Sequence, residues 1–198
     1  MSDPIRFYFS FRSPYAWFAA ERWQAELGDL SPAVERIPFY PTAATFPNDP
    51  VRLPAKLAFV LQDMRRLARD FQLSLRPPPA LDTDWGRAHA AYLGVEAAQP
   101  SHAEPFMLEM FRARFARGLD VALPAVIAEA AERAGADPAV ANTAAGSVPL
   151  QERVAKNFVE GQTRDGIFGA PSFAYRGQLY WGHDRLHHLR RALVEAAA

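Results

Sequence analysis

Residues 5–20 pass without a break from a strand pattern into a helix pattern, and the joint between them is Ser13-Pro14. Residues 5–11 are mostly apolar or aromatic, lie between Pro4 and Pro14 and are too few for a helix, so they read as a buried strand. Ser13 suits a helix N-cap, and Pro14 suits the first turn, where a missing N–H costs nothing. Trp17, Phe18, Ala20, Trp23 and Leu27 continue a helix that Gly28 stops. Residues 34–40 read as a second strand, closed by Pro38 and Pro41. A strand-helix-strand opening of this kind builds a parallel pair. It also sets a hydroxyl and unpaired backbone N–H groups at a helix N-terminus, where the partial positive charge favours an anion.

From about residue 53 to residue 166 the strand signals disappear. Leu57, Val60, Leu61, Met64, Leu67, Ala68 and Phe71 mark one helical face. Phe106, Met107, Met110, Phe111 and Phe115 mark another, ending near Gly118. An alanine-rich helix over residues 124–134 ends at Gly135, Asp137-Pro138 opens a further helix, and Leu150, Val154 and Phe158 mark the last of the block. Strands then return at residues 172–175 and 178–181 around the turn pair Arg176-Gly177. Asp184 reads as the cap of a final helix with Leu186, Leu189 and Leu193 on one face. There is no internal repeat, and Pro77-Pro78-Pro79 is the sole low-complexity connector.

The 198 residues contain no cysteine, which excludes disulfides, thiolate metal sites and a thiol nucleophile of the chain's own. An anion seated at Ser13, if it is a thiolate, comes from outside. The 22 basic and 22 acidic residues cancel, so no electrostatic argument favours nucleic acid or an anionic membrane surface. No stretch approaches the roughly 18 apolar residues of a membrane span. The opening residues carry no basic segment leading into an apolar run, and the expectation is a cytoplasmic protein. No metal site is expected: His187 and His188 are adjacent, and neighbours on a helix point about 100° apart.

The strand-helix-strand, helical block, strand-strand-helix order, with a proline opening the penultimate strand, looks like a thioredoxin fold split by a helical domain. Phe7-Tyr8-Phe9-Ser10-Phe11-Arg12-Ser13-Pro14-Tyr15 resembles the amino-terminal signature of 2-hydroxychromene-2-carboxylate isomerases and kappa-class glutathione transferases. Gly166-Ile167-Phe168-Gly169-Ala170-Pro171-Ser172-Phe173 and Trp181-Gly182-His183-Asp184-Arg185-Leu186 resemble their carboxy-terminal signature. The resemblance implies an α/β, thioredoxin-like fold from residues 1–45 and 167–198, interrupted by an all-helical insertion over residues 46–166. It further implies a homodimer that uses glutathione on a small aromatic or conjugated substrate.

By the same resemblance Ser13 donates a hydrogen bond to the glutathione sulfur, where disulfide oxidoreductases of this fold carry a cysteine. A free thiol has a pKa of about 8.5, and lowering it by about 2 units takes about 2.7 kcal/mol, within reach of one charge-assisted hydrogen bond and a helix terminus. Pro171 is implied to follow a cis peptide that exposes the backbone of Ala170 to the cysteinyl part. His183 and Asp184 are implied to hold the γ-glutamyl end, although His183 departs from the small polar residue of the pattern. Asn48 and Lys56 are implied to hold the glycyl end. Each has a plainer reading: Ser13 and Asp184 as helix caps, Pro171 as a turn proline, Asn48 and Lys56 as ordinary connector and first-turn residues. Tyr15, Phe39, Tyr40, Trp85 and Tyr92 are candidates for an acceptor pocket, and Arg12 could attract an acidic substrate. The implied activity is isomerisation by reversible addition of the thiolate. Transfer with release of the adduct, and a non-catalytic module binding glutathione or a peptide, are the rivals.

Overall fold

The computed structural model describes residues 3–40 and 53–197. Strand β1 (Ile5–Phe9) leads through helix α1 (Pro14–Leu27) to β2 (Val34–Pro38). Six helices follow: α2 (Pro54–Asp70), α3 (Trp85–Ala98), α4 (Pro100–Phe111), α5 (Pro124–Arg133), α6 (Pro138–Ala145) and α7 (Val148–Asp165). The chain closes with β3 (Ser172–Tyr175), β4 (Gln178–Trp181) and α8 (Leu186–Ala197). The sheet order is β2-β1-β3-β4, with β1 parallel to β2 and the other two pairs antiparallel. This is the mixed α/β, thioredoxin-like architecture that the element order implies.

Proline sets many of the helix starts. Pro14, Pro54, Pro100, Pro124, Pro138 and Pro149 each stand at a first or second helical position, where the lost N–H has no intrahelical partner to miss. Pro38 is tolerated in β2 because β2 is an edge strand. Its carbonyl accepts from Asn157 Nδ2 at 2.8 Å, which ties α7 to that edge.

Several elements differ from the sequence reading; β2, for one, ends at Pro38 rather than at Tyr40. The first strand ends at Phe9, because Ser13 N–H closes a turn on the Ser10 carbonyl at 2.9 Å and swings the chain into α1. The helix expected to run to Gly118 is regular only to Phe111 and then widens into a π turn, with Arg117 N–H reaching the Arg112 carbonyl at 2.8 Å. Helix α3 has no amphipathic period to read. Ala88, His89, Ala90, Ala91, Tyr92 and Val95 are all buried, so it is enclosed by its neighbours rather than laid on a surface.

Alternation along β1 divides the interior. Ile5, Phe7 and Phe9 join the larger apolar cluster with Trp23 and Phe173, and Phe7 stacks on Phe173 at 4.7 Å. Tyr8 faces the opposite side with Ile37, Phe39, Phe158 and Ile167. The larger cluster continues past Phe9 into α3, where Tyr92 meets the Phe9 ring edge-on at 5.0 Å, so sheet and helical block share one core.

Helices α3 and α6 pack closely where Gly94 meets Ala144. A Cβ on Gly94 would collide with the Ala144 side chain. Gly to Ala in a helix interior ordinarily stabilises by up to about 1 kcal/mol. Gly94→Ala is expected to reverse that sign and destabilise by about 1–3 kcal/mol, the cost of overpacking, read as a lowered urea midpoint at unchanged m-value.

Candidate functional site

The sheet's connectivity gathers the site. The end of β1 lies beside the start of β3, with Tyr8 opposite Ser172, and Ser172 also pairs with Trp181 at the end of β4. The loop after β1, the loop before β3 and the turn after β4 therefore meet at one edge of the sheet. Ser13, Ala170-Pro171 and His183-Asp184 lie on those three segments.

Ser13 caps α1: its Oγ accepts from Ala16 N–H at 3.2 Å, with the residue in extended backbone. The same hydroxyl donates its proton to the Ala170 carbonyl at 3.0 Å. The plain capping role and a seat facing the Ala170 backbone thus coexist in one side chain. The Ala170–Pro171 peptide is cis, as the resemblance implies. The Pro171 carbonyl accepts from Gly182 N–H at 3.0 Å, and Ser172 Oγ donates to the Gly169 carbonyl at 2.7 Å, so the loop is held from both sides. Gly182 has φ of 112°, and a Cβ there would lie 2.5 Å from Asp184 Oδ1. Only glycine serves at that turn.

Asp184 is not a helix cap. It lies inside a 3-10 turn, His183–Arg185, that has no side-chain cap, and α8 starts at Leu186. Its carboxylate is exposed at the rim, with Arg185 Nη1 at 3.3 Å. His183 is neither incidental nor fully at the surface. Its ring lies parallel to Tyr15 at 5.5 Å and 6°, and meets Phe18 and Phe71 edge-on. Burial, opposed by Asp184 and Asp63, holds His183 below the usual imidazole pKa. Lys56 is exposed in the first turn of α2. Asn48 lies outside the described residues.

The candidate acceptor aromatics separate cleanly. Phe39, Trp85 and Tyr92 are core; Tyr15 and Tyr40 are half-buried beside the Ser13 loop. Arg12 lies over the Tyr40 ring at 5.8 Å. Among the described residues no group of three or more His, Cys, Asp or Glu could hold a metal ion, and no helix is long and apolar enough to cross a membrane.

His89 is the residue that sequence reasoning passed over. It is fully buried, its Nε2 accepts from Phe11 N–H at 2.9 Å, and its Nδ1–H donates to the Trp85 carbonyl at 2.6 Å. It therefore pins the loop that carries Ser13 to α3. One lone histidine in an alanine-rich stretch offered no signal beyond the ordinary one of a core residue. Burial lowers its pKa to about 4. Unfolded, it would take a proton at about pH 6.5, so the folded state binds fewer protons in between and its stability rises with pH across that window. As pH falls from about 6.5 to about 4, His89 is expected to withdraw about 3 kcal/mol of stability. Urea unfolding at stepped pH checks this: the fall should be shallower in His89→Gln, which keeps an acceptor without the titrating ring.

Residues 4–194 match the model of the DSBA-like thioredoxin domain family. The chain is 26% identical to a 2-hydroxychromene-2-carboxylate isomerase of Sphingobium xenophagum, over 98% of this chain and all of that one. A solved 2-hydroxychromene-2-carboxylate isomerase superposes with a TM-score of 0.75 at 22% identity, covering 98% of this chain and 96% of that one. The cytosolic disulfide reductase DsbM of Pseudomonas aeruginosa, solved with GSH, gives 0.66 at 19%, covering 98% of each chain. With a family match over nearly its whole length, the chain belongs to the DSBA-like thioredoxin domain family.

Proposed function

We propose that the protein is a glutathione-dependent isomerase, similar in chemistry to the 2-hydroxychromene-2-carboxylate isomerases. The observation that carries this reading is the Ser13 hydroxyl, placed at the N-terminus of α1 and 3.0 Å from the carbonyl of Ala170, in a chain with no cysteine. The residues present fit the tripeptide. Ser13 has a donor for a sulfur, Ala170 has a backbone for an extended peptide, Asp184 offers an exposed carboxylate for an ammonium, and Lys56 offers an ammonium for a carboxylate.

Bound glutathione supplies a thiolate that adds reversibly to an electrophilic carbon of a conjugated substrate and is regenerated. The chain's own residues make that thiolate available. The Ser13 hydroxyl has one proton, spent on Ala170; rotation of the hydroxyl turns it toward the sulfur. The Ala170 carbonyl then accepts from the peptide's own N–H, so no buried acceptor is left unpaired. The first turn of α1 contains no acidic residue, so its terminal charge is not already answered from within. Half-buried Tyr40, beside the Ser13 loop, suits a flat substrate near the sulfur. The 26%-identical isomerase favours isomerisation over the transferase reading, in which the adduct is released. We assign the protein to the cytoplasm, where the tripeptide would be present in reduced form.

Titration with glutathione, followed by thiolate ultraviolet absorbance against pH, tests the reading. The bound thiol is expected to ionise about 2 units below its free value of about 8.5, and Ser13→Ala to restore most of that shift. Loss of the cap is expected to cost the variant about 1 kcal/mol of stability as well, leaving it folded. Tight binding with an unshifted thiol would establish a non-catalytic module instead. With turnover, a rearranged substrate and unchanged glutathione mark an isomerase, and a stable thioether marks a transferase.

A further inference from the structure

Tyr15 stands two residues beyond Ser13, in the first turn of α1. It reaches sideways to the two other parts of the site. Its ring lies flat on His183, at 5.5 Å and 6°, just before Asp184. Its hydroxyl donates to Asp63 Oδ2 of α2 at 3.0 Å. Asp63 is two helical turns from Lys56, so the two share one face of α2 at a separation on the order of 10 Å along the axis. Burial first, and the Asp63 carboxylate second, push the Tyr15 phenol well above its usual range, so it is always a donor.

Helix α2 needs such a tie. Of its 17 residues only Met64 and Ala68 are fully buried, and Phe59 and Leu61 are exposed. Among the described residues His183 is likewise held by rings: Tyr15 on its face, Phe18 and Phe71 at its edges.

We propose that Tyr15 is the positioning residue of the peptide site. Its ring sets the glutamyl end through His183, and its hydroxyl sets the glycyl end through Asp63 and α2. This rests on the glutathione reading above and adds to it a division of labour within one side chain. Both ends are thereby fixed to the helix whose N-terminus holds the sulfur, and a γ-glutamyl thiol peptide meets three contacts at one spacing.

Ligand fragments separate this from a merely structural role. Calorimetric affinities would be measured for glutathione, γ-glutamylcysteine and cysteinylglycine with the full-length protein, Tyr15→Phe and Tyr15→Leu. Tyr15→Phe removes the hydroxyl alone. It is expected to weaken glutathione and cysteinylglycine by about tenfold, as for one hydrogen bond to a charged acceptor, and to leave γ-glutamylcysteine unchanged. Tyr15→Leu also removes the stack and is expected to weaken γ-glutamylcysteine as well. The thiol pKa of bound glutathione is expected to stay lowered in Tyr15→Phe, since Ser13 and the helix terminus remain. Equal weakening of all three ligands by Tyr15→Phe, or of none, would overturn the inference while leaving the glutathione reading intact. A thiol pKa that rises as far as in Ser13→Ala would do the same. Wild-type protein that binds none of the three would overturn the reading and the inference together.

Discussion

The hydroxyl of Ser13 has one proton and joins two parts of the chain that lie 157 residues apart. Its oxygen accepts from Ala16 and so begins α1; its proton goes to Ala170 and so closes α1 on the loop before β3. The contact is available only because β1 lies between β2 and β3 in the sheet. A central first strand, parallel to one neighbour and antiparallel to the other, brings the end of the opening unit against the start of the closing one. The helices α2 to α7 can then be inserted between β2 and β3 without disturbing that edge, because both ends of the insertion return to the same sheet. The cost is a long loop closure, and it is met by the shared core, in which Phe9 touches both Phe7 of the sheet and Tyr92 of the insertion.

How far the sequence could be read follows from how local each signal was. The junction at Ser13-Pro14, the hairpin at Arg176-Gly177 and the proline-opened helices are decided within a few residues by capping and turn chemistry, and they stand where the pattern puts them. Helix α3 escaped because periodicity reports a boundary between core and water, and α3 has little such boundary. His89 escaped for the same reason: its partners, Phe11 N–H and the Trp85 carbonyl, are brought together by tertiary packing. Asp184 was misread as a cap because an aspartate just before an amphipathic run is the usual signal. The chain takes a 3-10 turn instead, which starts at Gly182 and delays α8 to Leu186. Tyr15 looked like pocket lining, since sequence tells that an aromatic is present but not which neighbours its ring and its hydroxyl find.

Charge in this protein is mostly answered by charge. Asp165 accepts from both Arg6 and Tyr8, and these bonds outweigh burial and hold its carboxyl below the usual range; Arg164 donates to the same tyrosine. Glu21 and Glu109 both take Arg112, and Asp29 takes Arg190. Those pairs do not include the first turn of α1, which is free of acids where many helices place one. A helix terminus without an internal counter-charge has its field available to a ligand, and the nearest side-chain donor is a hydroxyl rather than a lysine. That combination favours an anion that must be stabilised without being trapped. For a bound thiolate, as proposed, a lysine in place of the hydroxyl would lower the basicity further and, with it, the nucleophilicity.

The fold is shared with a protein named as a disulfide reductase, and the contrast with dithiol chemistry turns on one element. A dithiol exchange needs a sulfur on the protein to form the mixed disulfide, and this chain has no cysteine anywhere. A hydroxyl at the head of α1 leaves a donor at a helix N-terminus and offers no sulfur with which a thiolate could form a disulfide. On the proposed function, what remains is a site that would hold a foreign thiolate and let it go. Reversible addition needs that property: the same sulfur must leave the product as readily as it attacked the substrate. In the proposed reaction Ser13 as a hydrogen-bond donor would stabilise the leaving thiolate as much as the arriving one, because both are the same anion in the same place. Up to the adduct the same hydroxyl would serve a transfer equally well, and the two reactions part only at whether the sulfur leaves the product or departs with it.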